Sequence, residues 1–129
     1  MRFTYLLDGD ARQLRDLRVN LEAWMNPAAP DVDDLLIVTN ELAANALSYG
    51  KAPIMVTVAH RERELRIQVT QQAASTSPTR LYPHLVHGHQ DQGRGLVLVN
   101  ALARDWGWSQ SEQQLVVWAV LALPGNLSQ

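Results

Sequence analysis

The sequence predicts an α+β sandwich folded as one domain, and three observations carry that expectation. The chain has 129 residues, the size of a single core. Hydrophobic residues make up 47% and charged residues 19%, the balance of a globular chain rather than a disordered one. Segments of period two cluster along the chain instead of alternating one for one with helical segments, which disfavours a parallel doubly wound sheet. Residues 1–129 are therefore expected to form one domain, with no internal repeat.

The elements follow in order. In "MRFTYLLD", Phe3, Tyr5 and Leu7 alternate with Arg2, Thr4 and Leu6, which predicts a short strand with one apolar face, at a sheet edge. From Asp10 the period changes. Leu14, Leu17, Leu21 and Trp24 recur at three and four, so an amphipathic helix capped by Asp10 is expected. "NPAAP" breaks it, because proline cannot continue a helix. A second helix should start near Asp31 and end at Gly50, with Pro53 soon after. "PIMVTVAH" and "ELRIQVT" read as two strands joined by the turn "REREL". Residues 72–92 follow neither period, and a loop of that length in a small domain reads as a lid. "GRGLVLVNALARDWG" predicts a third helix carrying Leu96, Val99, Leu102, Ala103 and Trp106. A last hairpin pairs Trp106–Ser109 with "LVVWAVLAL", which is apolar on both faces, and the tail "PGNLSQ" should fray.

The totals exclude several functions. A formal charge of −2 lacks the basic excess that phosphate-backbone binding leaves on composition, so nucleic acid is not an expected partner. No apolar run approaches the roughly 18 residues of a membrane span, and the N-terminus is too short and too early in charge for a signal peptide. A cytoplasmic location is the expectation. The absence of cysteine removes disulfides and thiolate metal sites together.

Two stretches stand out. In "TNELAANALSYG", a helical wheel at about 100° per residue puts Glu41, Asn45, Ser48 and Asp34 within about 60° of one another. Val38, Leu42, Leu35, Ala46 and Tyr49 lie on one side, with Ile37 and Ala44 on the other. Either the stripe sits at a solvated margin of the packed face, or it looks into an enclosed space where a carboxylate and a carboxamide serve metal binding or proton transfer. In "QGRGLVLVNAL", Gly93 and Gly95 stand where a loop enters a helix. Exposed N–H groups at such a start suit an anion, although glycines there can also serve only the turn.

Taken as an ordered set, these motifs resemble the GHKL (Bergerat-fold) ATP-binding domain, most nearly its anti-sigma-factor serine kinases and related actinobacterial regulators. "ELAANALSYG" looks like that family's N box and "GRGLVLVNALARDWGW" like its glycine box, and the likeness spans nearly the whole chain. The resemblance implies a two-layer sandwich with a mixed, mostly antiparallel sheet and three helices on one face. It implies ATP and Mg²⁺ as cofactors, Glu41 as general base and Asn45 as Mg²⁺ ligand. The turn Gly93, Arg94, Gly95 and Leu96 becomes the phosphate cradle and lid hinge. It further implies a homodimer, with a sigma factor and a STAS-type antagonist as partners. The first helix, with Arg12, Arg15 and Arg18, would lend itself to such a partner surface, or to solvent.

One position departs from the pattern. Where the family has an aspartate that accepts from the adenine amine, just after the second hairpin strand, this chain has Gln71, and Ala73 replaces a glycine. A glutamine oxygen still accepts one hydrogen bond, but the charge assistance, worth roughly 1.5–3 kcal/mol, is lost. The sequence thus leaves a second reading open, a domain with impaired nucleotide binding that works as a protein-binding module. His84, His87 and His89 match no common zinc spacing and are expected to belong to a polar lid.

Overall fold

A computed structural model describes residues 1–25, 32–49, 52–72 and 94–123, with the backbone alone at Tyr49 and residues 94–96. The described elements are β1 (Arg2–Leu7), α1 (Gln13–Trp24), α2 (Val32–Tyr49), β2 (Ile54–Arg61), β3 (Glu64–Gln72), α3 (Arg94–Leu102), β4 (Asp105–Gln110) and β5 (Gln114–Ala122). The five strands form one sheet in the order β1-β2-β3-β5-β4. Every neighbouring pair is antiparallel, so the mixed sheet expected above is corrected to an antiparallel one. The reason is local. Loops of two and three residues close the β2–β3 and β4–β5 hairpins, too short for a parallel crossover.

Because residues two apart share a side of a strand, one sheet face collects Phe3 and Leu7, Ile54, Val56 and Val58, Leu65, Ile67 and Val69, and Leu115, Val117, Ala119 and Leu121. All are buried beneath the helices. α1 adds Leu17 and Leu21, and its Trp24 ring lies 5.8 Å from that of Phe3. α2 adds Leu35, Val38, Leu42, Ala43 and Ala46, and α3, packed along α2, adds Val99. The two-layer sandwich is therefore as expected, and β1 is an edge strand.

Element boundaries move. Asp10 caps the turn before α1 rather than the helix itself: its Oδ1 accepts from the Arg12 N–H at 2.9 Å, and the helix begins at Gln13. The hairpin turn "REREL" shrinks to Glu62 and Arg63, with Arg61 paired to Glu64. β4 is one residue longer at each end than expected. Trp106 leaves the third helix, because after Ala103 donates to the Val99 carbonyl at 2.8 Å, Arg104 N–H already bonds the Val120 carbonyl of β5. The expected helix bounds at Asp31 and Gly50 lie outside the described residues, and of the lid expected at 72–92, Gln72 ends β3 while the rest, with its histidines, also lies outside them.

Candidate functional site

α2 carries the stripe, and its surroundings follow from which arc of the helix meets the sheet. The buried arc runs from Val38 at about +60° from Glu41, through Leu42, Leu35, Ala46 and Thr39, to Ala43 at about 200°. Glu41, Asp34 and Asn45 lie at its edge and are half-buried, whereas Ser48 and Ile37 on the far side are exposed, Ile37 to 39%. Among the described residues the stripe therefore has packed core on one side only. Of the two readings this favours the margin of the packed face, a rim where a carboxylate keeps part of its hydration and avoids the cost of full burial. Four residues apart on a helix, Glu41 and Asn45 are neighbours on that rim and present a proton acceptor beside an amide oxygen.

Gln71 is the second component. It lies inside β3, one residue before its end, not beyond the strand as the sequence reading had it. Its register partners are Ile54 and Leu115, and Ile54 in turn pairs with Leu7. This cross-strand row is otherwise apolar, and Gln71 is 3% exposed on the helix-facing side of the sheet. A carboxamide there is the one polar side chain among the apolar Leu7, Ile54 and Leu115. A depression of about 550 Å³ at this end of the sheet opens mainly on the face away from the helices, lined by Leu6, Pro53, Met55, Thr70, Gln72, Gln113 and Gln114, with Gln71 at its margin. The sequence reading gave Gln113 and Gln114 no functional role. The signal was the doublet "QQ" at 71–72 and again at 113–114, but only the β3–β5 register, which pairs Gln72 with Gln114, brings the two doublets together.

α3 brings the third component. Arg94, Gly95 and Leu96 form its first turn, and Gly93 lies outside the described residues. The C-terminal end of α3 is tied to the β4 start, where Asp105 pairs with Val120 and the Trp106 Nε1–H donates to Asn100 Oδ1 at 3.1 Å. Its free N–H groups are at the other end, about 12 Å up the helix axis. Asp105 and Val120 share a row with Arg66 and Ala59, at the opposite end of the strands from Gln71.

The donor set fits Mg²⁺ with a phosphate ligand. One carboxylate and one amide oxygen on a half-exposed rim suit a hard cation that takes one or two protein ligands and fills its octahedron with water and phosphate oxygens. Among the described residues, no three or more His, Cys, Asp or Glu side chains gather into an all-protein metal cage. Thr39, buried with its Oγ1 unbonded among the described residues, lies about 160° around α2 from Glu41 and belongs to the core side.

A family model described as "Histidine kinase-like ATPase domain" matches residues 7–121. No curated protein matches the chain. Among solved structures, the Acinetobacter baumannii histidine kinase AdeS aligns over 94% of this chain and 68% of its own, with a TM-score of 0.53 and 11% identity. The histidine kinase domain of the E. coli osmosensor EnvZ, solved by NMR, aligns over 96% of this chain and 91% of its own, with a TM-score of 0.54 and 16% identity. At these identities the likeness is one of fold.

Proposed function

The chain belongs to the histidine kinase-like ATPase domain family, and from that premise we propose that it binds ATP with Mg²⁺ as a regulator of the anti-sigma-factor type, phosphorylating a serine of a small STAS-type antagonist. The observation that carries this reading is the pairing of Glu41 and Asn45, half-buried one turn apart on the rim of α2. Asn45 would hold Mg²⁺ through its amide oxygen, and the ion would offset phosphate charge when bound. Glu41 would take the proton of the attacking hydroxyl, since a carboxylate held beside the phosphates is a positioned base. The first-turn N–H groups of α3, with Gly93 and Gly95 leaving room for close approach, would receive the phosphate oxygens. Gln71 would meet the base. A sigma factor, an antagonist and a homodimeric state enter on family likeness.

The test is isothermal titration and thermal unfolding with Mg·ATP. We expect saturable heat and a stabilisation that grows as the logarithm of nucleotide, about 2.7 kcal/mol at a hundredfold excess over Kd. Glu41→Ala should keep binding and lose phosphotransfer, and unchanged turnover would refute its role as base. Gln71→Asp should tighten nucleotide binding on the order of tenfold to a hundredfold by restoring a charged acceptor. Gln71 itself favours a second reading, a protein-binding module without competent nucleotide binding. Neither heat nor thermal shift at millimolar Mg·ATP would establish that reading in place of the first.

A further inference from the structure

The sheet face opposite the helices carries its own chemical pattern. At one end, the cross-strand partners Leu6 and Met55 are 55% and 44% exposed. At the other end, Arg2, Arg61 and Arg66 surround a shallow depression of about 390 Å³ floored by Thr57, Ala59 and Gln68. The carboxylate in that depression, Glu64, is taken by Arg104 at 2.7 Å. The other ion pair among the described residues joins Arg12 to Asp10, so Arg2, Arg61 and Arg66 have no carboxylate partner there. Arg66 is also held in place, its guanidinium carbon 4.9 Å from the centre of the Trp118 ring.

We propose that this face docks an acidic amphipathic helix of a partner protein, its apolar side chains on Leu6 and Met55 and its carboxylates on Arg2, Arg61 and Arg66. Arg66, held on Trp118 and without a carboxylate partner among the described residues, suits a carboxylate taken through two parallel N–H bonds. Along the strands, Leu6 and Arg2 are about 13 Å apart and Met55 and Arg61 about 20 Å, which a helix spans in roughly 9 to 13 residues. A helix fits better than an extended segment. The inner strands are hydrogen-bonded on both sides, so an extended chain laid across them would find no backbone partners, whereas a helix satisfies its own. Among the described residues the chain itself does not supply the acid, since neither ion pair there involves Arg2, Arg61 or Arg66. The net charge of −2 and the presence of Glu64 favour a protein over a nucleic acid.

The proposal is tested on the intact chain with a fluorescent alanine-based helical peptide of about 16 residues, carrying Leu in its first two turns and Glu in its last two on one face. The control has Lys in place of Glu. We expect the acidic peptide to bind and the basic one not to. The double change Arg2→Gln with Arg61→Gln should lower affinity about tenfold, Met55→Ser should also weaken it, and Glu41→Ala should leave it unchanged. In the unmodified protein, raising salt should weaken binding, which reads the same contact without any variant. Amide signals of Thr57 and Gln68 and the Trp118 indole should shift on titration. The proposal is overturned if the acidic peptide fails to bind, if the basic peptide binds equally, or if the shifts fall on the helical layer. It is equally overturned if a single-stranded RNA binds more tightly, or if the face is covered by self-association of the chain in sedimentation. None of these readouts depends on nucleotide.

Discussion

At the scale of single residues, two positions hold backbone or packing constraints that side-chain chemistry alone does not announce. Glu62, the first residue of the β2–β3 turn, has φ 45°, a left-handed value that costs a residue with a Cβ about 1 kcal/mol. Glu62→Gly should raise the urea midpoint by an amount equivalent to about 1 kcal/mol, with the m-value unchanged. Gly107 sits beneath the Trp118 indole, and a Cβ there would stand 3.0 Å from Cζ2 of that ring. Gly107→Ala should therefore push the ring off its seat, lower stability by about 1 kcal/mol and alter the tryptophan emission that reports the Arg66 contact. In the sequence, Gly107 in "DWGWSQ" reads only as a weak residue within a strand. Its purpose is visible once β4 and β5 pair Gly107 with Trp118.

At the scale of elements, the start of α1 shows how a local motif is readable while its geometry shifts. Asp10 accepts from the Arg12 side chain at 2.8 Å and from its N–H at 2.9 Å, and Gln13 reaches back to accept from the Asp8 N–H at 2.9 Å. The Arg12 guanidinium, and after it the Arg12 N–H, hold the Asp10 carboxyl below its ordinary value. A lowered carboxyl value means that this contribution is complete above the unfolded value of about 3.9 and disappears as pH falls through the folded value. Asp10→Asn should therefore lower the thermal midpoint near neutral pH and converge with the parent as pH falls below the lowered folded value, as scanning calorimetry across acid pH would show. α2 makes the complementary point. Its periodicity located the stripe, but whether Glu41 and Asn45 face a cavity or a rim depended on how far the sheet and α3 wrap around it.

At the scale of the whole molecule, the sheet is one antiparallel unit whose inner face is the floor of the core. Ile67, on the central strand β3 between Val58 and Ala119, is fully buried, so Ile67→Ala should remove about 3 kcal/mol. That is a large share of the roughly 5–15 kcal/mol by which domains are stable. Urea unfolding should register it as a cooperative loss seen equally by tryptophan fluorescence and circular dichroism, since one core spans all strands and helices. Among the described residues no helix is long and apolar enough to cross a membrane. The two faces of the sheet divide the chemistry: the helix side holds the Glu41, Asn45 and Gln71 constellation, and the far side holds the arginines.

What the sequence determined by itself was everything that repeats along the chain: the strand at Phe3–Leu7, the helices, the two hairpins, and the i, i+4 spacing that sets Glu41 beside Asn45. Periodicity and turn chemistry are local, so they survive without knowledge of the fold. Tertiary structure alone decided what depends on residues far apart. It placed β5 between β3 and β4, made the β1–β2 and β3–β5 pairings antiparallel, and joined the two glutamine doublets through Gln72 and Gln114. It drew Gln71 into an apolar row and left the Glu41 stripe half in solvent. Register and burial are set by which surfaces exclude water together, and that is a property of the assembled layers rather than of any one segment.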